Sequence, residues 1–406
     1  MKIRSITYFC NPGWPLDDLK LAQAGKFLAE AKASYEAAGF EVQNKRLATV
    51  PFLQILGTEK IGEAPRLAEQ VSAAIQSAGI ANAALGPAQP EVPESFAVIP
   101  EAMAAAKDIF FSGVMADASF GVALPAVQAC AEVITRCAQI SPDGFANLRF
   151  AALANVKPGS PFFPAAYHER DKPMFAIATE AADLAVEAFS NARTVNDGQL
   201  TMANEIEKSA RELAVVAEAL DRRFSIGFGG IDFSLAPFPS EAVSIGAAME
   251  RMGVPRAGLH GSLAAAAILT EAIERAGFPS TGFNGLMLPV LEDSVLAQRA
   301  AGGMLTVKDL LLYSAVCGTG LDTIPLPGDT TAEQIAALLL DLSALALRLN
   351  KPLTARLMPI PGKKAGDLAE FTFDYFANSR VMALEAQPLG SPFSETKRFT
   401  LAARHK

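Results

Sequence analysis

The chain has 406 residues, half of them apolar and 19% charged, with 35 basic against 43 acidic side chains for a net charge of −8. Such a composition supplies a large core and little disorder, and with no Lys/Arg run longer than a pair it excludes the basic patch that nucleic acid or an anionic membrane needs. The most apolar stretches, "SLAAAAILTEAIERAG" and "IAALLLDLSALALRL", are broken by charge well short of the ~18 residues of a spanning helix.

The opening "MKIRSITYFC" is too short for a signal peptide and reads as a first strand. After it, strand-like runs recur in chain order: "FEVQNKRLA", "DIFFSGVM", "LRFAALANV", "MFAIAT", "FSIGFGGIDF", "NGLMLPV", "LDTIPLP" and "LTARLMPI". Helical periodicity fills most gaps, at Leu21–Ala38, Ala64–Ser77, Val122–Gln139, Leu200–Leu220 and Ala332–Leu349. Alternation of this kind predicts an α/β fold with helices outside a parallel or mixed sheet of roughly nine or ten strands. The Pro-rich "GPAQPEVPE" (86–94) reads as a surface loop. Residues 1–383 form one domain on this reading, and the polar 384–406 segment is a tail on the body or on a neighbouring subunit.

In the helix Ala332–Leu349 the charges Glu333, Asp341 and Arg348 make one stripe within about 80°, and the rest of its surface is mostly Ala and Leu. A helix covered so completely favours a homo-oligomer. Four cysteines without CxxC spacing argue for a reduced, cytoplasmic protein rather than a thiolate zinc site.

The densest chemistry lies in "CGTGLDTIPLPGDTT" (317–331). Gly318 and Gly320 permit a sharp turn after a helix, and Pro325 and Pro327 keep the next residues extended. Asp322 sits within an apolar strand, where a carboxylate needs donors or a cation. Cys317 is a candidate nucleophile or a small core residue. Thr330 with Glu333 fits a capping box, so Asp329 and Thr330 are either helix caps or ligand contacts. The stretch "SIGFGGIDFSLAPFPSE" repeats the design with Asp232 and Ser234. Asp232 and Asp322 together make a candidate carboxylate pair for Mg²⁺ or Ca²⁺, against the alternative of two aspartates bonded to turn amides. In "FNGLMLPVLEDSVLAQRA", Asp293 is an N-cap candidate and Asn284 a candidate ligand contact. His168, in a Pro/Phe-rich loop, is a structural residue or an acid–base group. Lys363 and Lys364 follow a Pro-Gly turn and are solvated or hold an anion.

The blocks "LLLYSAVCGTGLDTIPLPGDTT", "ALALRLNKPLTARLMPIPGKKAGD", "GGIDFSLAPFPSE" and "NGLMLPVLED" resemble the family catalogued as domain of unknown function 711, or uncharacterised protein family 0210. That resemblance implies a pyruvate formate-lyase-like architecture: a ten-stranded α/β barrel of two five-stranded halves with a loop threaded into its lumen. It transfers no reaction. Glycyl radical chemistry would need a C-terminal glycine in an Arg-Val-x-Gly-Tyr context. Here Arg380-Val381-Met382-Ala383-Leu384 has alanine at that place, so no glycyl radical is expected.

The expectation is therefore a cytoplasmic enzyme with a small polar or anionic substrate in a barrel lumen. The alternative is a sensor that binds a small molecule in the same cavity, and an inert scaffold would have that lumen plugged by apolar side chains.

Overall fold

A computed structural model describes residues 1–404 of the chain; His405 and Lys406, the end of the expected tail, lie outside the described residues. The principal strands are β1 (Lys2–Cys10), β2 (Val42–Thr49), β3 (Asn82–Ala88), β4 (Ile109–Asp117), β5 (Gly121–Ala123), β6 (Phe150–Ala154), β7 (Met174–Glu180), β8 (Gly227–Ala236), β9 (Gly320–Pro327) and β10 (Leu353–Ile360). They belong to one mixed sheet whose main path runs β8-β7-β1-β2-β3-β4-β6-β10-β9. Neighbours within β1-β2-β3-β4-β6, within β7-β8 and within β9-β10 are parallel, whereas the β1–β7 and β6–β10 seams are antiparallel.

The α/β expectation holds, but "NGLMLPV" does not form a ladder strand. Residues 280–289 instead touch both ends of the path through isolated parallel bridges, Ile231↔Ser280 and Leu235↔Leu286 on β8 and Pro289↔Asp322 on β9. Continuous pairing is broken there by positive φ at Gly282 and Asn284 and by Pro289, which has no N–H to donate.

A second difference is β3. The supposed loop at 86–94 begins inside a central strand, since Asn82–Ala88 lies between β2 and β4. Its sequence, "NAALGPA", has no β-branched residue to signal a strand. Gly86 is fitted to its place, because a Cβ there would lie 2.6 Å from Pro51 Cα.

Alternation along β1 separates two faces. Ile6 and Tyr8 pack with Leu21 and Phe27 of the helix Asp18–Ala37. Phe9, on the other face, joins Ala48 of β2, Ala84 of β3 and Ala176 of β7 around Phe163. Phe163 belongs to residues 155–173, the connection from β6 to β7. That loop also sends Phe162 and Ala165 against Ala151, Leu153, Ala178 and Ala236, and its Pro161 carbonyl accepts from Thr7 Oγ1 at 3.1 Å. The inner face of the sheet is thus occupied by a chain segment rather than by helices.

The tail returns to the body. Ahead of it, β11 (Leu368–Ala369) and β12 (Ser379–Arg380) form a small ladder; within it, β13 (Arg398–Phe399) pairs antiparallel with β5. Gln334 Nε2 donates to the Ala386 carbonyl at 3.1 Å, and Arg404 N to the Arg348 carbonyl at 2.9 Å. Part of the cover over the helix Ala332–Leu349 therefore comes from the same chain. No helix among the described residues is long and apolar enough to cross a membrane.

Candidate functional site

The "CGTGLDTIPLPGDTT" stretch is built as a seam. A Cβ on Gly320, which has φ +97°, would lie 2.2 Å from the Thr354 carbonyl oxygen of β10, and Gly318 meets Gly285 backbone to backbone. Thr319 Oγ1 donates to the Leu286 carbonyl at 2.5 Å. Along β9 the register slips: Ala355 pairs with Leu321 and Leu357 with Ile324, so Asp322 and Thr323 together oppose the single residue Arg356. Thr323 takes φ +42°, a conformation that a β-branched residue rarely adopts. This bulge turns Asp322 onto Arg356.

There a buried ladder of charge begins. Arg356 donates to Asp322 through Nε at 2.5 Å and Nη2 at 2.9 Å, and through Nη2 to Glu292 at 2.7 Å. Glu292 also pairs with Arg4 of β1, which donates to Glu180, the last residue of β7, at 3.0 Å. Burial alone would raise Glu292, but the Arg4 and Arg356 guanidiniums outweigh it and hold the carboxyl below its usual range. Asp322 goes the other way: burial raises it, Arg356 offsets only part of that, and the Glu292 charge adds to the rise. The protein itself thus satisfies the acids of the ladder.

Arg46 of β2 differs. Its guanidinium lies over the Phe163 ring, 4.9 Å from the centroid, and its Nε is buried without a hydrogen-bond partner. Burial, reinforced by Arg4 and Arg356, pushes its pKa down to about 9. An arginine does not surrender its proton at neutral pH, so the depression measures an uncompensated positive charge.

Arg46 lines a cavity of about 830 Å³ that also meets Arg4, Glu292, Arg356 and Met287. One wall is the segment carrying Phe373 and Tyr375. This strap is tied down where Ala377 N donates to the Leu291 carbonyl at 2.7 Å, and its Tyr375 ring lies 5.7 Å from the Arg4 guanidinium carbon.

The residues expected from sequence fall elsewhere, apart from Asp322. Asp232 is fully buried and accepts from Ser234 Oγ at 2.6 Å and from the amides of Phe283 at 2.8 Å and Asn284 at 3.0 Å. Asn284 Oδ1 in turn accepts from Phe233 N at 2.8 Å. Asp232, Ser234 and Asn284 together fasten 281–285 to β8. Of the candidate cation pair, Asp232 is held by amides and a hydroxyl, and Asp322 by Arg356. Among the described residues no group of three or more His, Cys, Asp or Glu side chains is placed to hold a metal.

Cys317 is buried at the seam and does not line the cavity. His168 is buried beside Phe9, its ring pushed down by burial and its backbone N–H donated to Thr49 O; it too lies away from the cavity lining. Asp329, Lys363 and Lys364 are exposed. Thr330 is buried in a turn, and the capping box falls one residue later, on Thr331 and Gln334. Asp293 is the expected N-cap, accepting from Val295 and Leu296, and it also holds Ser244 Oγ and the Ile245 amide.

Burial pushes Asp232 up to about 6, against the pull of Ser234 and the two amides. A carboxyl with a folded pKa above its ordinary 3.8 contributes stability that is complete below that value and lost as pH rises through about 6. Asp232→Asn cannot titrate. Its stability relative to wild type should therefore improve between about pH 4 and pH 7, by up to about 3 kcal/mol at 1.36 kcal/mol per pKa unit. Urea midpoints at both pH values check this, and a pH-independent difference would show that Asp232 keeps its ordinary pKa.

Fold and site together define an α/β protein with a cavity at its inner sheet face and, in the wall, Arg46, which has no acid in contact among the described residues. A family model described as "Uncharacterised ACR (DUF711)" matches residues 1–379. A UPF0210 protein of Ruminiclostridium cellulolyticum is 30% identical over 351 residues, covering 82% of this chain and 77% of the relative. One from Neisseria meningitidis serogroup C is 30% identical over 375 residues, covering 87% and 81%. One from Pyrobaculum aerophilum is 37% identical over 259 residues, covering 61% and 56%. The chain belongs to the DUF711, or UPF0210, family.

Proposed function

We propose that this protein binds a small organic anion in the cavity beneath the 370–376 strap, with Arg46 as the counter-charge. The observation that carries the reading is the Arg46 guanidinium: half-buried in the cavity wall, over the Phe163 ring, with a buried Nε that has no hydrogen-bond partner among the described residues. A partly buried unpaired charge is expensive, and an incoming carboxylate or phosphate would neutralise it in the geometry a guanidinium favours. Arg4 and Arg356 are held by their own acids and add positive field without being free to move.

The same proposal takes the architecture as a ten-stranded, pyruvate formate-lyase-like barrel, with residues 280–289 as the closing strand. Its support is the set of parallel bridges that this segment makes to both β8 and β9, and the loop 155–173 packed on the inner face. A catalytic role for the cavity draws on one further observation. Glu292 lines the cavity between Arg4 and Arg356, so a carboxyl as well as an arginine stands where a bound anion would lie.

In a thermal-shift panel of small carboxylates and phosphates, the wild type should be stabilised by about 3 kcal/mol at a ligand concentration near 100 Kd. Arg46→Gln should lose that stabilisation while its own melting temperature is unchanged or higher, since the substitution removes an uncompensated charge. Ligand stabilisation that survives in Arg46→Gln would refute the assignment. Product analysis with the bound anion then separates turnover from binding.

A further inference from the structure

The cavity offers more than a charge. Phe110 of β4, Phe162 and Phe163 of the inner loop, and Phe373 and Tyr375 of the strap all line it. Phe110 and Phe163 meet edge to face with centroids 5.3 Å apart, and Phe373 and Tyr375 tilt against each other at the same separation. Aromatic walls thus come from the sheet, from the loop and from the strap. The Arg46 guanidinium carbon lies 4.9 Å from the centroid of one of them, Phe163, and its Nε is sealed in the wall, which leaves the terminal Nη groups, unbonded among the described residues, to a ligand.

We propose that the ligand is a flat aromatic acid, its carboxylate on the edge of Arg46 and its ring in the space that Phe110, Phe162, Phe163, Phe373 and Tyr375 line. The inference rests on the anion-binding reading above and narrows it. A carboxylate matches the guanidinium fork with two parallel hydrogen bonds. A π-face gains from offset or edge-on contact with neighbouring rings beyond what its buried area alone supplies. Inorganic phosphate would satisfy the charge but leave most of the roughly 830 Å³ to water against apolar walls. A saturated ring of similar size would fill the space but forgo the ring–ring geometry.

Calorimetric titration of the full chain with benzoate, cyclohexanecarboxylate and inorganic phosphate separates these cases. The expected result is benzoate bound about tenfold more tightly than cyclohexanecarboxylate, with phosphate weaker than both. Arg46→Gln should weaken both acids by about 10- to 100-fold. Phe373→Leu, on the strap, should erase the preference for benzoate while changing cyclohexanecarboxylate affinity less than about threefold. Phe163→Leu should act alike, and because Phe163 is packed in the inner cluster its melting temperature is checked first; Phe373→Leu carries the test if that variant unfolds. Equal affinity for the two acids, both lost in Arg46→Gln, would overturn the aromatic preference and leave the anion site standing. So would phosphate binding alone, lost in the same variant. Absence of binding by all three probes would overturn both readings.

Discussion

Arg356→Met is expected to cost the fold about 3–5 kcal/mol, the usual loss when one partner of a buried ion pair is removed. Arg356 stands between Glu292 and Asp322, and all three are buried. A thioether offers neither carboxylate a donor. Glu292 would keep Arg4 as its partner, but Asp322 would have no other cation in contact. The deficit should shrink as pH falls, because the stranded carboxyls can then take up protons and become neutral. Arg356→Lys should recover only part of the loss, since an ammonium cannot present the fork that reaches both acids. Urea unfolding at neutral and acidic pH measures all three quantities. A loss under about 1 kcal/mol would mean that the ladder is solvated like a surface pair.

Gly285→Ala should be nearly as damaging, at about 3 kcal/mol, the upper end for forcing a methyl group into packed structure. The new Cβ would lie 2.4 Å from Gly318 N and 2.6 Å from Gly318 Cα. Backbone meets it there, so no side chain can rotate away. Residues 280–289 are held to β9 by a single isolated bridge, and Gly285–Gly318 is the close approach beside it. Gly227→Ala in β8 is the control. A Cβ at that position has nothing within 4 Å, and its stability should change by no more than about 0.5 kcal/mol. If the two variants melt together, the Gly285 contact is softer than its geometry implies.

Most of the sheet was legible in the sequence because its strands carry β-branched and aromatic residues between helices of clear period. The strand β3 was not, since a central strand of Ala, Gly and Pro displays no such signal and its fit depends on a neighbour as distant as Pro51. Asp322 was legible as a charge that needs a partner inside an apolar strand. The same argument applies to Arg4 in "KIRSITYF", to Arg46 in "VQNKRLAT" and to Arg356 in "LTARLMPI", but a long basic side chain can reach water from a strand, so its sequence signal is weaker than that of a short carboxylate. Glu292 stands beside Asp293 at a helix start, where either carboxylate could cap. Only Asp293 caps, while Glu292 reaches two arginines from strands β1 and β10. Pairings across 288 and 64 residues of chain leave no local trace. The partners of Asp232 were equally hidden: the amides that hold it lie 51 and 52 residues downstream, beyond any turn pattern.

That long reach has a consequence for biosynthesis. At 5–20 residues per second a ribosome takes roughly 20–70 s to travel from Arg4 to Arg356. Glu180 is made early enough to meet Arg4 while the chain is still short, but Glu292, Arg356 and Tyr375 follow much later. The cavity wall that Arg46 shares with Glu292, Arg356 and Tyr375 therefore cannot be complete on the nascent chain until the last of these has been made.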